Sequence, residues 1–206
     1  METEMTTKER IVYESLKLFS QKGYDGVSMR EIAAAVGIKG ASIYNHFTGK
    51  DDIFQAIFAE MTKHYDKMAA MMSLPTQESE QTIEIYASME LEQMLTMAEG
   101  LFLFFTQDEF AVLFRRLLMS EQHKSELAAK YLRNYYIDAP ILFQSHIFQG
   151  MQQKGIFQSY DAQMMAIHFY SPIYYILNRF DAGYPYEECL EQIKEHVHVF
   201  CGLYQK

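Results

Sequence analysis

Three helix-start signals fall within the first 51 residues of the chain. In each, a serine or threonine stands three residues before a carboxylate, so that each side chain can bond the other residue's backbone N–H at the start of a helix. Three helices that begin at such short intervals predict a small helical head at the N-terminus. The pairs are Thr6 with Glu9, Ser28 with Glu31, and Thr48 with Asp51.

Helical periodicity continues through the rest of the sequence. Apolar residues recur at intervals of three and four, and no segment alternates apolar with polar residues between hairpin turn signals. We therefore expect an all-α fold of about nine helices. The predicted ranges are 7–22, 29–37, 40–46, 49–72, 79–97, 108–121, 124–153, 161–182 and 185–204, with a turn or short helix near 98–106.

The net charge of −9 is distributed unevenly along the chain. Residues 1–50 contain seven Lys or Arg and six Asp or Glu, a net charge of +1, whereas the remaining residues contain 11 basic and 21 acidic side chains. Because the acidic excess lies outside the head, the head can approach the phosphates of a nucleic acid.

Two features of the sequence bear on where the protein is located. The first ten residues, METEMTTKER, lack the apolar run of a secretory signal, and the longest dense apolar run, Leu101–Phe105, is too short to cross a bilayer. We expect a cytoplasmic protein with no membrane partner.

Cys189 and Cys201 would lie about 18 Å apart on one helix, which is too far for a disulfide, so buried thiols are expected.

Residues 76–206 contain no motif that indicates catalysis. Nucleophile elbows, phosphate-binding loops, dinucleotide fingerprints and zinc-protease helices are all missing from the sequence. The seven histidines also lack the spacing of metal ligands. We therefore expect no enzyme activity, no cofactor and no metal site.

The most informative stretch is SMREIAAAVGIKGASIYNHF, residues 28–47. Two short helices joined by a glycine-containing turn are typical of a helix-turn-helix unit, and small leading side chains allow such a unit to enter the major groove. Lys39, Ser42 and Asn45 suit base edges. The phosphate contacts would come from Ser28, Arg30, Tyr44, His46 and Lys50, with Gly40 and Ala41 leaving room for the backbone to approach. The alternative is a helical hairpin whose polar face meets only water.

The same region resembles a known family. The runs GYDGVSMREIA, VGIKGASIYNHF and GKDDI, within residues 23–53, look like the DNA-binding head of the tetracycline-repressor (TetR/AcrR) family of bacterial regulators. The resemblance implies a homodimeric all-α repressor with a helix-turn-helix DNA-binding domain at residues 1–50 and a helical ligand-binding and dimerisation domain at residues 51–206. It also implies phosphate contacts from Ser28, Tyr44, His46 and Lys50. Ala41 departs from the family pattern, in which a larger or hydroxyl residue is common.

The last two predicted helices carry apolar stripes that suggest a subunit interface. Their spacing is typical of helices that pack nearly parallel, and the family joins its dimers through its last two long helices. The alternative is that both stripes serve the core of a monomer. The expected interface residues are Met165, Phe169, Ile173, Ile176, Phe180, Leu190, Ile193, Val197, Phe200 and Tyr204.

Aromatic residues in the C-terminal region suggest an apolar ligand pocket. Methionine-rich walls suit shape-tolerant binding, so we expect a small hydrophobic or aromatic effector. The candidate lining residues are Phe102, Phe105, Phe110, Phe114, Tyr131, Tyr135, Phe143, His146, His168 and Tyr174.

Two functions compete at this point. The first is a ligand-responsive transcriptional regulator, a repressor that leaves a palindromic double-stranded DNA operator when an effector binds. The second is a helical adaptor that binds a protein partner without DNA, which the acidic total charge favours.

Overall fold

The computed structural model describes residues 5–206, which form helices joined by short turns with no strand in that range. The helices are α1 (Thr7–Lys22), α2 (Met29–Val36), α3 (Lys50–Met71), α4 (Glu80–Ala87), α5 (Leu91–Gln107), α6 (Glu109–Glu121), α7 (Glu126–Arg133), α8 (Ala139–Gln153), α9 (Ala162–Asp181) and α10 (Tyr186–Tyr204). A π-helical turn at Asn134–Asp138 joins α7 to α8 without a break, so the described chain has nine separate α-helical segments. The all-α prediction is confirmed.

Two of the three predicted capping boxes are present. The backbone N–H of Thr6 donates to Glu9 over 2.8 Å, and that of Ser28 donates to Glu31 over 2.9 Å. The third pairing is wrong: the Thr48 N–H donates to Asp52, because the Asp51 carboxylate accepts instead from the hydroxyl of Tyr24.

Two predicted segments differ from the structure. The helix expected at 40–46 is a single 3-10 turn at Ser42–Asn45, hereafter the recognition turn. The helix expected at 79–97 is interrupted after Ala87, and α5 continues through 98–106. Helix α5 begins directly after Glu90, which explains the break. The Glu90 N–H donates to the Gln93 side chain over 2.8 Å and so caps a new helix.

The chain packs as two units. The first runs through Lys67 and includes Glu109–Leu132, and the second comprises Met68–Asp108 and Arg133–Lys206. The boundary at residue 50 remains a prediction for the DNA-binding head, and its first four residues lie outside the described part of the chain.

A chain of aromatic rings forms the core of the first unit. Phe54 is 3 % exposed, and its ring centroid lies 4.9 Å from that of Phe58 and 5.0 Å from that of Tyr24. Phe58 in turn stacks on Tyr131 of α7, with centroids 3.6 Å apart. Helix α6 also packs against α1. Burial of these rings ties α1, α3, α6 and α7 together, because each ring removes a large apolar area from water.

The second unit is built on α5, α8, α9 and α10. Helices α9 and α10 run antiparallel, since His168 bonds Tyr204 whereas Arg179 pairs with Glu188. Beyond α10, the Lys206 N–H donates over 3.0 Å to the carbonyl of Ile156, which holds the last residues against this unit. Cys189 and Cys201 are buried free thiols on α10. Among residues 5–206 no helix is both long and apolar enough to span a membrane.

The apolar stripes of α9 and α10 lie in the core of the second unit. The residues expected at a dimer interface are buried in this unit or pack against its two hydrophobic clusters, so much of their apolar area is already covered within the chain, and their place at an interface remains a prediction. They are Met165, Phe169, Ile173, Ile176, Phe180, Leu190, Ile193, Val197, Phe200 and Tyr204. The alternative that these stripes serve the chain's own core describes the structure better.

Candidate nucleic-acid interface and ligand cavity

The turn between α2 and the recognition turn is fixed by its backbone. Gly37 has a left-handed conformation with φ of 78°, which glycine adopts without the Cβ penalty of other residues. The next N–H, of Ile38, then donates to the carbonyl of Ala33 over 2.9 Å. The Arg10 guanidinium of α1 donates to the carbonyl of Val36 over 2.5 Å and holds the end of α2.

Two buried side chains anchor the recognition turn. Ile43 is fully buried and Phe47 is 2 % exposed, whereas Tyr44 between them is 59 % exposed. Burial of these two residues, four positions apart, therefore leaves Tyr44, Asn45 and His46 between them exposed. Exposed members of the predicted DNA-binding set are Ser28, Arg30, Lys39, Gly40, Ala41, Tyr44, Asn45 and His46, while Ser42 and Lys50 are partly buried.

Lys50 already has partners inside the head. Its Nζ donates to the carbonyl of Tyr24 over 2.7 Å and lies 4.4 Å from the centroid of the Tyr24 ring. Burial, and then the hydrogen bond to Asp51, raise the pKa of the Tyr24 hydroxyl, so that it stays protonated and donates. An ammonium has three N–H donors, which leaves Lys50 able to bind a phosphate as well.

The start of α2 holds a carboxylate in its charged form. Hydrogen bonds from the Ser28 backbone, and then from Lys22 and the Ser28 hydroxyl, lower the pKa of Glu31 to about 2. The Lys22 ammonium lies 3.1 Å from the Glu31 carboxylate. Negative charge is favoured at a helix N-terminus, so this arrangement fixes the register of α2 in the head.

Acidification is expected to weaken the head through Glu31. Because its pKa in the folded state lies below the ordinary 4.5, its contribution is present above about pH 4.5 and is lost as the pH falls towards 2. Glu31→Gln should therefore lower the urea midpoint at pH 7 and have little effect near pH 2. The exposed Asp25→Asn is the control. An equal loss at both pH values would contradict this role.

The second unit encloses an apolar cavity of about 160 Å³. Most of the side chains that line it come from α5, α8, α9 and α10, and ten of all the lining side chains are Phe or Tyr. Three methionines, Met94, Met97 and Met151, complete much of the wall. Such a cavity suits a small apolar molecule, because aromatic and thioether surfaces adapt to ligands of different shape.

Three of the residues expected to line a pocket do so, namely Phe102, Phe105 and Phe143. The other seven lie outside this cavity. Phe110, Phe114 and Tyr131 belong to the first unit, where their rings pack on His64 or Phe58. His168 bonds the Tyr204 hydroxyl, and neither Tyr135, His146 nor Tyr174 lines the cavity.

Sequence reasoning missed Gln144, which lines the cavity from α8. Its side-chain Oε1 is buried and has no hydrogen-bond partner among residues 5–206. A signal was available, because Gln144 interrupts an apolar stripe that continues at helical spacing through Ile147, Phe148 and Met151. A polar residue within a buried stripe often has a partner that the chain itself does not supply.

Comparison with known proteins bears mainly on the head. Residues 11–57 match the sequence model of the bacterial regulatory proteins of the tetR family. The biofilm operon icaADBC HTH-type negative transcriptional regulator IcaR of Staphylococcus aureus is 46% identical over 48 residues. That match covers 23% of this chain and 26% of IcaR, so the chain aligns with about a quarter of the length of this relative.

Two solved structures share the fold over nearly the whole chain. A TetR family transcriptional regulator from Pseudomonas syringae pv. tomato has a TM-score of 0.65 at 20% identity, and the match covers 96% of both chains. SmeT, the repressor of the Stenotrophomonas maltophilia multidrug efflux pump SmeDEF, has a TM-score of 0.68 at 14% identity and covers 100% of this chain and 93% of its own. At these identities the likeness concerns the fold alone.

Proposed function

We propose that this chain, which carries a DNA-binding head of the bacterial tetR family, is a cytoplasmic transcriptional repressor that a small effector releases from DNA. The observation that carries the proposal is the recognition turn, in which Tyr44 and Asn45 are exposed while Ile43 and the following Phe47 are buried. A plain hairpin needs no such cluster of polar groups. We infer no enzymatic role.

The proposed DNA-binding groups divide by chemistry. Lys39, Ser42 and Asn45 can reach base edges in the major groove, where a carboxamide matches adenine and an ammonium matches guanine. Together with the free N–H groups at the start of α2, a second group of side chains would bind phosphates, and we call it the phosphate set. It consists of Ser28, Arg30, Tyr44, His46 and Lys50. In this arrangement phosphate contacts set the register of the head and the three readers set sequence preference.

A homodimer would use the exposed apolar stripe of α9 and α10. Met164 is 61 % exposed, Tyr175 63 % and Leu203 54 %, and Ile167 and Val199 extend the stripe. Next to Leu203, a Cβ on Gly202 would meet nothing within 4 Å of this chain. Glycine inside a helix costs about 1 kcal/mol relative to alanine, and it permits another helix to approach closely. We infer that the helix belongs to a second copy.

Charge at this stripe should separate the two copies. Leu203→Glu would bury an unpaired carboxylate at both symmetry-related positions, and we expect the dimer dissociation constant to rise on the order of 100-fold. Sedimentation velocity over a concentration series measures it. Gln149→Glu adds the same charge to an exposed position of α8 and is the control. An unchanged Leu203→Glu dimer would place the interface elsewhere.

Release from DNA would follow from two dimer shapes. In one, the two recognition turns lie about 34 Å apart and fit successive major grooves of a palindromic operator. An effector in the cavity would bind the other shape more tightly and shift the population away from DNA. Helix α3 offers a covalent route for the change, because its residues up to Lys67 lie in the first unit and the rest in the second.

Footprinting of the DNA upstream of the chain's own gene tests the proposal. We expect a protected palindrome at low salt, since phosphate contacts strengthen as salt falls. A folded dimer that protects no sequence there would show that this region holds no operator, and selection from random duplexes then tests DNA binding as such. Failure in both assays, with a protein partner retained after nuclease treatment, would favour the adaptor function instead.

A further inference from the structure

The cavity of the second unit has a wall without formal charge. No Asp, Glu, Lys, Arg or His is among the side chains that line it in the described part of the chain. An ionised ligand would leave water for a surface that offers no counter-ion, which is strongly unfavourable for an anion and is offset only in part for a cation by attraction to the ring faces. The wall therefore selects neutral molecules.

Gln144 brings a carboxamide to this apolar wall. Its Oε1 is buried without a partner among residues 5–206, whereas the nearby hydroxyl of Tyr170 already donates to the carbonyl of Tyr136 over 3.1 Å. A buried acceptor that stays unsatisfied is costly to the fold. A ligand with an O–H or N–H donor would remove that cost on binding, and a ligand without one would leave it.

The size and the lining of the cavity restrict the ligand further. A cavity of about 150 Å³ with apolar walls holds one benzene ring, and this one measures about 160 Å³. Phe102, Phe148 and Phe200 are among the rings that line it, and their edges and faces can pack against an aromatic ligand.

We propose that the cavity binds a neutral one-ring phenol whose hydroxyl donates a hydrogen bond to Gln144 Oε1. Gln144 is then the residue that determines specificity, and the aromatic wall supplies most of the affinity. A phenol stays uncharged near neutral pH, as the ordinary tyrosine pKa of about 10 indicates. The assignment deepens the proposed repressor function but concerns binding, so it can be tested without DNA.

Four probe molecules test the ligand class on the unmodified protein. Calorimetry with 4-ethylphenol, 4-ethylanisole, 4-ethylbenzoate and choline compares a donor, its methylated form, an anion and a cation. We expect 4-ethylphenol to bind about tenfold more tightly than 4-ethylanisole, and the two ions not to bind. Equal or tighter binding of 4-ethylanisole, 4-ethylbenzoate or choline would overturn the proposal, as would no binding of 4-ethylphenol.

Gln144→Leu tests the residue itself. It removes the acceptor at similar volume, so 4-ethylphenol and 4-ethylanisole should then bind within about twofold of each other. Gln149→Leu on the exposed side of α8 should keep the tenfold preference. A preference that survives in Gln144→Leu would overturn the assignment to Gln144. If this variant does not fold, the probe comparison on the unmodified protein still decides the ligand class.

The DNA experiment separates this inference from the proposed function. If 4-ethylphenol binds with the expected preference but leaves an operator footprint unchanged, the ligand class stands and effector release fails. If the protein protects an operator but binds none of the four probes, the ligand class fails and DNA binding stands.

Discussion

Replacing Phe54 by alanine is expected to lower the free energy of unfolding of the first unit by about 3 to 5 kcal/mol. Phe54 is 3 % exposed, and its ring contacts those of Phe58, Tyr24 and Phe19, with centroids 4.9, 5.0 and 6.1 Å away. The change would leave a cavity where α1 and α3 meet and remove three ring contacts at once. Urea unfolding followed by circular dichroism measures the loss.

A surface truncation provides the comparison for Phe54. Leu142 is 60 % exposed on α8, so Leu142→Ala should change the free energy of unfolding by less than about 0.5 kcal/mol. If Phe54→Ala cost less than about 1 kcal/mol, the ring cluster would not be what holds the head to the rest of its unit. The operator affinity of Phe54→Ala should fall together with the folded fraction.

Asn45→Ala and Arg30→Ala are expected to weaken DNA binding in different ways. Asn45 is exposed on the recognition turn, and the loss of the bidentate base contact proposed for it should remove about 1 to 3 kcal/mol of discrimination between operator and unrelated DNA. Arg30 is exposed in the first turn of α2, where a phosphate contact would be lost equally from every sequence, and the salt slope should fall by about one unit.

Fluorescence anisotropy with the operator and a scrambled duplex, over a salt series, distinguishes the two variants. Arg30 is a cleaner phosphate probe than Lys50, because Lys50 also donates to the carbonyl of Tyr24 and its loss would disturb the start of α3. Parallel losses on both duplexes with Asn45→Ala would show that Asn45 contacts the backbone. Undiminished affinity of Arg30→Ala on both would remove Arg30 from the phosphate set.

The starts of α1 and α2 could be predicted from the sequence, because the hydrogen bonds that cap these helices join residues close together in the chain. Thr6 and Ser28 cap their helices with partners three residues away, and such pairs are visible in sequence. Thr48 shows the limit of this reasoning. Its expected partner, Asp51, bonds Tyr24 from 27 residues earlier, and a contact at that separation leaves no local pattern.

The packing of the apolar stripes and the lining of the cavity were harder to predict for a related reason. An apolar stripe shows that a helix face is covered, but the spacing does not show what covers it. In α9 and α10 the regular stripes pack into the chain's own core, and the exposed residues such as Met164 and Leu203 form a separate face. Phe114 and Tyr131 were assigned to the pocket, yet α6 and α7 pack with α1 and α3 in the first unit.

The recognition turn and the residues just before it place the buried positions apart from the positions that we propose to read DNA. Ile43 and Phe47 contribute its buried contacts, whereas exposed positions such as Lys39, Ala41 and Asn45 contribute little to the core. Substitutions at those exposed positions can therefore change which operator is bound while the head keeps its stability. A library that randomises these three positions should yield mostly folded proteins, and new operator preferences can be selected from it without a compensating change in the core.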